Sequence, residues 1–317
     1  MANRKTDTTA MMQPRYTGIP TFMRVPMVGD WDAVDIGLIG VPYDGGVTNR
    51  AGARHGPREI RNQSSLMRTY HHVTRVSPYD LVSVADLGDV LFKHLLEHPK
   101  ALDEIETVFA KIKAHNIIPL SAGGDHTISL PILRALAKDG PVGMIHIDAH
   151  TDTWDMFQGS KFSHGSPFRN ATEEGLLDPK RVIQIGIRGA QTTADGWDFS
   201  EKSGMRVVYM EEFAEIGVPA VIKEARRVVG DGPVYLSFDV DGLDPIYTPG
   251  TGTPEIGGIT TLEAQQLLRG LRHLNYMGAD VVEVAPPFDP TGNTALVAAT
   301  LMYEILCLIA EKIAAGR

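Results

Sequence analysis

Short apolar segments alternate with segments of helical period along most of the chain. Strands are predicted at residues 34–41, 81–85, 117–121, 142–147, 182–187, 206–209, 234–238 and 280–284. Helices are predicted from Pro57 to about residue 69 and at 101–115, 129–137, 218–229, 262–273 and 294–314. The predicted strands are nearly continuous apolar runs, which is typical of strands buried on both faces of a parallel sheet. This alternation indicates right-handed crossovers and an α/β fold, either a closed eight-stranded barrel or an open doubly wound sheet.

The N-terminal residues break this alternation. They contain proline and methionine without a clear period, so residues 1–33 are predicted to form an irregular arm. Arms of this kind often pack on a neighbouring subunit, and disorder of the first dozen residues is the alternative. No linker, change of composition or internal repeat divides the rest of the chain. Residues 34–317 are therefore predicted to form a single domain.

Composition and charge narrow the class of protein. The chain has 317 residues, of which 43% are hydrophobic and 22% charged, enough for one large α/β domain. Its formal net charge is −9 and it has no basic run, so no nucleic-acid partner is expected. We find no run of about 18 apolar residues, and residues 1–15 lack the apolar segment of a signal peptide. We therefore expect no membrane association, a cytoplasmic location, and a buried structural role for Cys307, the single cysteine.

Acidic and histidine side chains follow several predicted strands at the point where each strand ends. The segment 142–147 is followed by Asp148, His150 and Asp152, whose alternation puts three side chains on one side of an extended backbone. The ends of other strands supply His126, Asp239, Asp241 and Glu283. Because the carboxyl ends of parallel strands converge at one edge of the sheet, we expect these side chains to lie close together. Carboxylates and imidazoles crowded in this way repel and desolvate each other unless a cation lies between them.

Metal binding is the chemistry that this set of residues favours. The six candidate ligands are His126, Asp148, His150, Asp152, Asp239 and Asp241. That number is too large for a single four-coordinate zinc with an open position, and it suits two divalent ions that share bridging carboxylates. Many oxygen donors with two imidazoles favour Mn²⁺, with Ni²⁺, Co²⁺ or Fe²⁺ as alternatives. Two such ions lower the pKa of a bridging water, which becomes hydroxide near neutral pH, so the predicted reaction is a metal-assisted hydrolysis.

Three segments resemble the motifs of the ureohydrolase family, the arginase and agmatinase group. They are Gly-Gly-Asp-His at 123–126, Asp-Ala-His-Thr-Asp at 148–152 and Ser-Phe-Asp-Val-Asp-Gly-Leu-Asp-Pro at 237–245. The similarity extends from about residue 37 to the C-terminus and is strongest to the branch of agmatinase, guanidinobutyrase, guanidinopropionase and proclavaminate amidinohydrolase. It implies an open three-layer α/β/α fold with an eight-stranded parallel sheet, in which residues 34–317 form the catalytic domain. It also implies a dinuclear Mn²⁺ site, hydrolysis of a guanidino group to urea and an amine, and a homotrimer or homohexamer.

The resemblance also implies a role for each site residue. One ion would be held by His126 and Asp152 and the other by His150 and Asp241, with Asp148 and Asp239 as bridges. His164 matches the mobile-loop histidine of the family, whose pKa near working pH suits transfer of a proton to the leaving amine. Glu283 matches the carboxylate that binds the guanidinium by paired hydrogen bonds and so holds its carbon over the hydroxide. His146, in the same strand, is expected to be a core histidine or a support for a ligand.

Substrate identity is expected to depend on the loop at 153–161. Family members that act on guanidino acids tend to carry Asn where Trp154 stands, and agmatinases tend to carry Tyr. An indole would shorten the pocket, remove an amide that could meet a carboxylate, and offer a π face to a cation. The candidates are a short guanidino acid, agmatine, guanidine, or an alkylated guanidine or biguanide. The working hypothesis is a substrate that lacks a carboxylate. Trp154 and Phe157 are expected to contact the substrate. Lys161 and Arg188 are alternative partners for a carboxylate.

Two other classes of protein remain as alternatives. A single-zinc deacetylase of similar fold would typically carry a pair of adjacent histidines at a strand end, which this chain lacks. A non-catalytic subunit would be expected to have lost ligands, and all six positions are filled. A subunit of a hetero-oligomer with a related chain is a further alternative.

Overall fold

Eight parallel strands form one open sheet in the order β2-β1-β3-β8-β7-β4-β5-β6 in the computed structural model. The structure describes residues 5–316, so the parts of the predicted arm and domain at residues 1–4 and 317 lie outside the described residues. β2 and β6 each pair with one neighbour only, which leaves the sheet open. The doubly wound sheet is therefore confirmed and the barrel is excluded.

The strands are short and most of their residues are buried on both faces. Their bounds are β1 Ile36–Val41, β2 Val84–Asp89, β3 Ile118–Gly123, β4 Val142–Ile147, β5 Leu177–Ile187, β6 Arg206–Tyr209, β7 Val234–Asp239 and β8 Tyr276–Val282. Two of the predicted strands are displaced. β2 begins three residues late because Pro78 starts a helical turn that includes Leu81. β8 begins at Tyr276, four residues before the predicted start, because the small residues after Tyr276 weaken the apolar signal in the sequence. It ends before Glu283.

Helices cover both faces of the sheet. Their bounds are α1 Gly56–Ser64, α2 Pro78–Leu81, α3 His98–Ala114, α4 Ser129–Leu136, α5 Pro167–Glu173, α6 Asp195–Ser203, α7 Met210–Val229, α8 Thr261–Gly270 and α9 Asn293–Ala315. α1, α7, α8 and α9 share one hydrophobic core with the sheet, and α3, α4 and α5 share the other. The three-layer α/β/α architecture is thus confirmed. α2 and α5 were not predicted because they are short, and α6 was not predicted because its Gly, Asp and Ser residues are poor helix formers. α7 begins at Met210, before the predicted start, because a kink at Gly217, with φ of 73°, interrupts the helical period.

The C-terminal helix α9 is the most apolar element of the fold. By length and composition it could cross a membrane, contrary to the expectation that no segment of the chain is long enough. However, 78% of its most apolar window is buried inside the protein, as in the core helix of a soluble domain. Two acidic side chains on this helix are also buried, and Arg269 and Arg272 bind Glu304 and Glu311 respectively. Cys307 is buried as expected, and burial raises the pKa of its thiol.

Residues 5–33 form an irregular arm that packs on its own chain. The Phe22 side chain is buried in the core, and its backbone N–H donates to the buried carboxylate of Asp86 in β2. The Arg24 guanidinium donates to three backbone carbonyls of the arm itself. Residues 26–28 run alongside β2, where the Asp86 N–H donates to Pro26 O at 2.9 Å and the Val28 N–H donates to Asp86 O at 3.2 Å. The arm therefore belongs to the same core as the sheet.

Candidate metal centre and substrate cavity

Four neighbouring strands of the sheet end at the candidate site. β3, β8, β7 and β4 are adjacent in the sheet order. β3 leads into His126, β4 leads into Asp148, β7 ends at Asp239 and β8 leads into Glu283. Because the carboxyl ends of parallel strands meet at one edge, side chains that are far apart in sequence become neighbours there.

The first group of ligand atoms surrounds His126. Its Nδ1 lies 2.8 Å from Oδ2 of Asp152, 3.1 Å from Oδ2 of Asp148 and 3.2 Å from Oδ2 of Asp239. All four residues are buried. Asp152 has a left-handed backbone with φ of 50°, a strained conformation that persists where the surroundings enforce it and that is common at functional sites.

The second group of ligand atoms surrounds His150. Its Nδ1 lies 3.4 Å from Oδ1 of Asp148 and 3.2 Å from Oδ2 of Asp241. Asp148 thus presents one oxygen to each group. The ligand atoms of His126, His146, Asp148 and Asp152 lie within 4.8 Å of one another, and so do those of Asp148, His150 and Asp241. A carboxylate shared in this way is the arrangement expected of a bridge between two ions. The structure brings all six predicted ligands together.

The residues of the two groups fit a pair of cations. His126 Nδ1 is buried and makes no hydrogen bond to any residue that the structure describes, although three carboxylates face it. Burial, followed by the charges of Asp241 and Asp148, raises the pKa of Asp239 well above its ordinary value. Burial also raises the pKa of Asp241, to about 6. Acids of like charge packed together without water are stabilised in their ionised form by metal ions between them.

A buried chain of hydrogen bonds fixes the orientation of the His126 ring. The Ser237 hydroxyl donates to Oδ1 of Asp280 at 2.7 Å, and Asp280 also accepts from Ser129 at 2.6 Å and from Tyr235 at 2.5 Å. Ser237 Oγ lies 2.7 Å from Nε2 of His126. Because the hydroxyl proton is committed to Asp280, Ser237 Oγ accepts from Nε2–H. Nδ1 therefore carries the lone pair that a metal requires.

Asp148 is held by a second buried histidine. The Gln184 amide donates to Nδ1 of His146 at 3.1 Å, so Nε2 of His146 carries the proton and donates to Oδ2 of Asp148 at 2.7 Å. Burial raises the pKa of Asp148, but His146 and the hydrogen bonds around it outweigh burial and hold that pKa well below its ordinary value. His146 thus supports a ligand, which is one of the two roles considered for it.

A cavity of about 300 Å³ opens above the metal ligands. Beside four of those ligands it is lined by Thr48, Asn49, Trp154, Ser163, His164, Gly165, Ala190, Gln191, Thr253, Pro254 and Glu255. Its size is at the lower end for small-molecule sites, which favours a small substrate. Phe157 is outside this lining, because it turns back through paired backbone hydrogen bonds with Ser160, each of 2.9 Å. The predicted contact of Phe157 with substrate is therefore not seen in this structure.

Glu283 lies at the base of the site with one oxygen free. Its Oε1 accepts from the His126 backbone N–H at 2.9 Å and lies 2.9 Å from Nδ1 of His164. Its Oε2 is buried and has no hydrogen-bond partner among the described residues. Glu283 has a left-handed backbone with φ of 65°, and its N–H donates to Gly124 O at 2.9 Å. The carboxylate is thus held with one buried acceptor oxygen unpaired, and Glu283 is not among the residues that line the cavity.

His164 connects Glu283 with the loop after β1. Its backbone N–H donates to Gly46 O, and its Nε2 lies 2.7 Å from Oγ1 of Thr48. Burial lowers the pKa of His164, but the charge and hydrogen bond of Glu283 outweigh burial and raise that pKa to about 9. The ring is therefore positioned to hold or release a proton at the wall of the cavity.

Neither basic residue considered as a partner for a carboxylate faces the cavity. The Arg188 guanidinium donates to the backbone carbonyls of Asp241 at 2.7 Å, of Leu243 at 3.1 Å and of Glu255 at 2.7 Å. Arg188 thus ties together the two loops that carry a metal ligand and the cavity rim. Lys161 is exposed, with its ammonium 5.0 Å from the centre of the Phe162 ring. Neither residue is among those that line the cavity, so the structure gives no support to the alternative that either receives a substrate carboxylate.

Sequence reasoning missed several residues of the site, among them Ser237, Asp280, Gln191 and Glu255. Ser237 lies two residues before Asp239 in β7, so the two side chains point to the same face of the sheet. Asp280 is a single acidic residue in an apolar strand. Both features were visible in the sequence. Gln191 and Glu255 line the cavity from loops that have no period. Only the three-dimensional structure places loop residues of this kind.

Comparisons with known proteins agree with the fold and with the family that the sequence motifs resemble. Residues 34–308 match the Arginase family. The chain is 60% identical over 302 residues to guanidinopropionase of Pseudomonas aeruginosa, covering 95% of each chain, and 50% identical over 302 residues to guanidinobutyrase of the same organism, covering 93% of this chain and 94% of that one. The structure of proclavaminate amidinohydrolase from Streptomyces clavuligerus superposes with a TM-score of 0.91 at 39% identity, covering 95% of this chain and 100% of that one. Formiminoglutamase from Trypanosoma cruzi with Mn²⁺ superposes with a TM-score of 0.82 at 25% identity, covering 92% and 99%.

Proposed function

The chain belongs to the arginase family, and we propose that it hydrolyses a short guanidino acid to urea and an amine. The observation that carries this proposal is the free Oε2 of Glu283, a buried acceptor oxygen beside the two groups of metal ligands. A guanidinium has N–H donors in a plane, and a carboxylate is its natural partner. The relatives named guanidinopropionase and guanidinobutyrase support the choice of a guanidino acid.

Two divalent ions would be held by His126, Asp148, His150, Asp152, Asp239 and Asp241. When bound, such a pair supplies a Lewis acid and a water of lowered pKa. We propose Mn²⁺, which the oxygen-rich donor set favours and which occurs in the structure of the Trypanosoma cruzi relative, with Ni²⁺ and Co²⁺ as the alternatives to test.

The protein residues would orient the substrate and handle the proton. Glu283 Oε2 would accept from the guanidinium, while Oε1 stays bound to the His126 N–H and to His164. This would fix the plane of the guanidino group before the reaction, so that binding holds the substrate in the reactive orientation. His164 would give a proton to the departing amine, because it lines the cavity and lies beside the guanidinium-binding carboxylate.

A urea-release screen tests the proposal. Purified protein loaded with Mn²⁺, Ni²⁺ or Co²⁺ is assayed with guanidino acids, agmatine, guanidine, alkylguanidines and a biguanide, and bound metal is measured by mass spectrometry. We expect two equivalents of metal and the highest kcat/KM for a short guanidino acid. Glu283→Gln keeps the shape and removes the charge, and it should lower kcat/KM by about 10- to 100-fold. One equivalent of zinc with no urea from any substrate would instead favour the deacetylase alternative.

We propose that the protein is cytoplasmic and forms a trimer or hexamer. Exposed apolar side chains of the arm, with Tyr16 91% and Ile19 86% accessible in the single chain, support burial in an assembly. Light scattering after size-exclusion chromatography measures the mass directly. An active assembly of this chain alone would exclude the need for a related partner subunit, and an active monomer would contradict the proposed assembly.

A further inference from the structure

The wall of the cavity contains a paired tryptophan and glutamine. The indole Nε1 of Trp154 lies 3.2 Å from Oε1 of Gln191. An indole N–H can only donate, so the atom that it contacts must be the amide oxygen. The NH₂ group of Gln191 is then the other end of the amide. That nitrogen is buried and has no hydrogen-bond partner among the residues that the structure describes.

Trp154 is held firmly enough to orient this amide. Its backbone N–H donates to Gly165 O at 2.9 Å. Its indole packs directly on Gly196, where a Cβ atom would lie 2.6 Å from Cδ1 of the indole. The ring therefore lies where only glycine leaves room for it, and its N–H fixes which end of the Gln191 amide remains unpaired.

The unpaired donor belongs to a residue that lines the cavity. None of the residues lining the cavity is Lys or Arg, and Arg188 donates to backbone carbonyls instead. On the rim, Glu255 Oε1 lies 4.0 Å from Nε2 of His150. The unpaired NH₂ of Gln191 is a neutral donor that suits a substrate carboxylate, which has only acceptors.

We propose that Trp154 and Gln191 select a substrate whose distal end is a carboxylate. Gln191 Nε2 donates to that carboxylate, and Trp154 is a positioning residue that holds the amide in the correct orientation. This inference rests on the proposed function and names the residues that recognise the carboxylate of its substrate. It reverses the expectation that Trp154 removes an amide from the pocket, because the indole instead orients one. The distal ammonium of agmatine has only donors and would face another donor.

Paired substrates measure this selection. 4-Guanidinobutyrate and n-butylguanidine have chains of similar length and differ at the distal carboxylate. We expect the wild-type enzyme to favour the acid, and Gln191→Leu to lower the ratio of the two kcat/KM values by about 10- to 100-fold, because a hydrogen bond to a charged group is lost. Gln191→Glu places a second negative charge there and should shift the preference towards agmatine. An unchanged ratio in both variants overturns the inference.

Trp154→Phe separates positioning from packing. It keeps an aromatic ring against Gly196 and removes the N–H that orients Gln191. KM for the acid should rise several-fold, with kcat changed much less, because the lost contact is made equally before and during reaction. Trp197→Phe is the matched control, since Nε1 of Trp197 is also buried but has no hydrogen-bond partner among the described residues. Equal kinetic effects of the two substitutions contradict the inference.

The two proposals fail in different ways. Absence of urea from every guanidino compound tested with metal-loaded wild-type protein removes the proposed function. Urea release with a preference for butylguanidine, or with a preference that Gln191 does not affect, leaves that function in place and removes the inference.

Discussion

The orientation of the His126 ring, a candidate metal ligand, depends on the hydroxyl group of Ser237. Ser237→Ala would break the link between Nε2 of His126 and Oδ1 of Asp280, whose bonds to Ser237 are both 2.7 Å. All three residues are completely buried, so water does not reach the two groups. An imidazole N–H would lose its partner, and the carboxylate would lose one of three donors.

The magnitude follows from that burial. Leaving a buried polar group without its partner costs about 1–3 kcal/mol. The imidazole N–H takes this cost, whereas Asp280 keeps two donors, so the free energy of unfolding should fall by about 1–3 kcal/mol. Loss of a contact that orients a metal ligand typically weakens metal affinity by about 10- to 100-fold. At saturating metal the variant should recover much of its activity, because the ligand itself is still present.

The assay is a chelator competition that measures affinity for each of the two ions, combined with thermal melting with and without metal. Ser121→Ala is a matched control. Ser121 in β3 and Ser237 in β7 are both register partners of Asp280 in β8 and are both buried. Ser121 Oγ has no hydrogen-bond partner among the described residues, so its removal should have little effect on either measurement. Equal metal affinity in the two variants would refute the reasoning.

Three further perturbations test the same centre. Asp148→Asn removes the negative charge that faces both groups of ligand atoms, so it should abolish urea release and lower bound metal from two equivalents to at most one. Full activity of this variant would contradict the assignment of Asp148 as a carboxylate shared by two ions. Removal of metal by a chelator should lower the Tm of the wild-type protein markedly, because buried carboxylates that face each other lose their counter-ions, and Asp148→Asn should show a smaller change. Arg188→Lys should lose most of the hydrogen bonds to the carbonyls of Asp241 and Glu255, because an ammonium lacks the planar fork of a guanidinium. We expect a lower Tm and weaker metal binding, with the same relative activity on guanidino acids and alkylguanidines as in the wild type. A selective loss of activity on the acids would instead show that Arg188 contacts the substrate.

The sequence predicted the sheet because its strands are apolar runs with clear ends. β4 and β6 have the predicted bounds, and the alternation after β4 places Asp148, His150 and Asp152. The errors arose where local signals conflict with tertiary pairing. β5 begins at Leu177, five residues before the apolar run, because its polar start still pairs with Val142 in β4.

The ligands of the candidate site were predictable, but their supports were less so. Strand ends converge by topology, and this alone brings His126 to Asp239. The direction of a hydrogen bond depends on partners from other strands, as with Asp280, and is not written in any local pattern. The orientation of the Gln191 amide depends on a tryptophan from a different loop, so it emerges only from the fold.

The arm that lies along β2 has a consequence for solubility. β2 is an outer strand, and an uncovered outer strand presents free N–H and C=O groups to any other chain. Residues 26–28 occupy that position beside Asp86, through hydrogen bonds in both directions. The segment thus covers the edge of β2 that another chain would otherwise pair with. A protein shortened to residues 34–317 would retain every metal ligand and yet expose a template for aggregation.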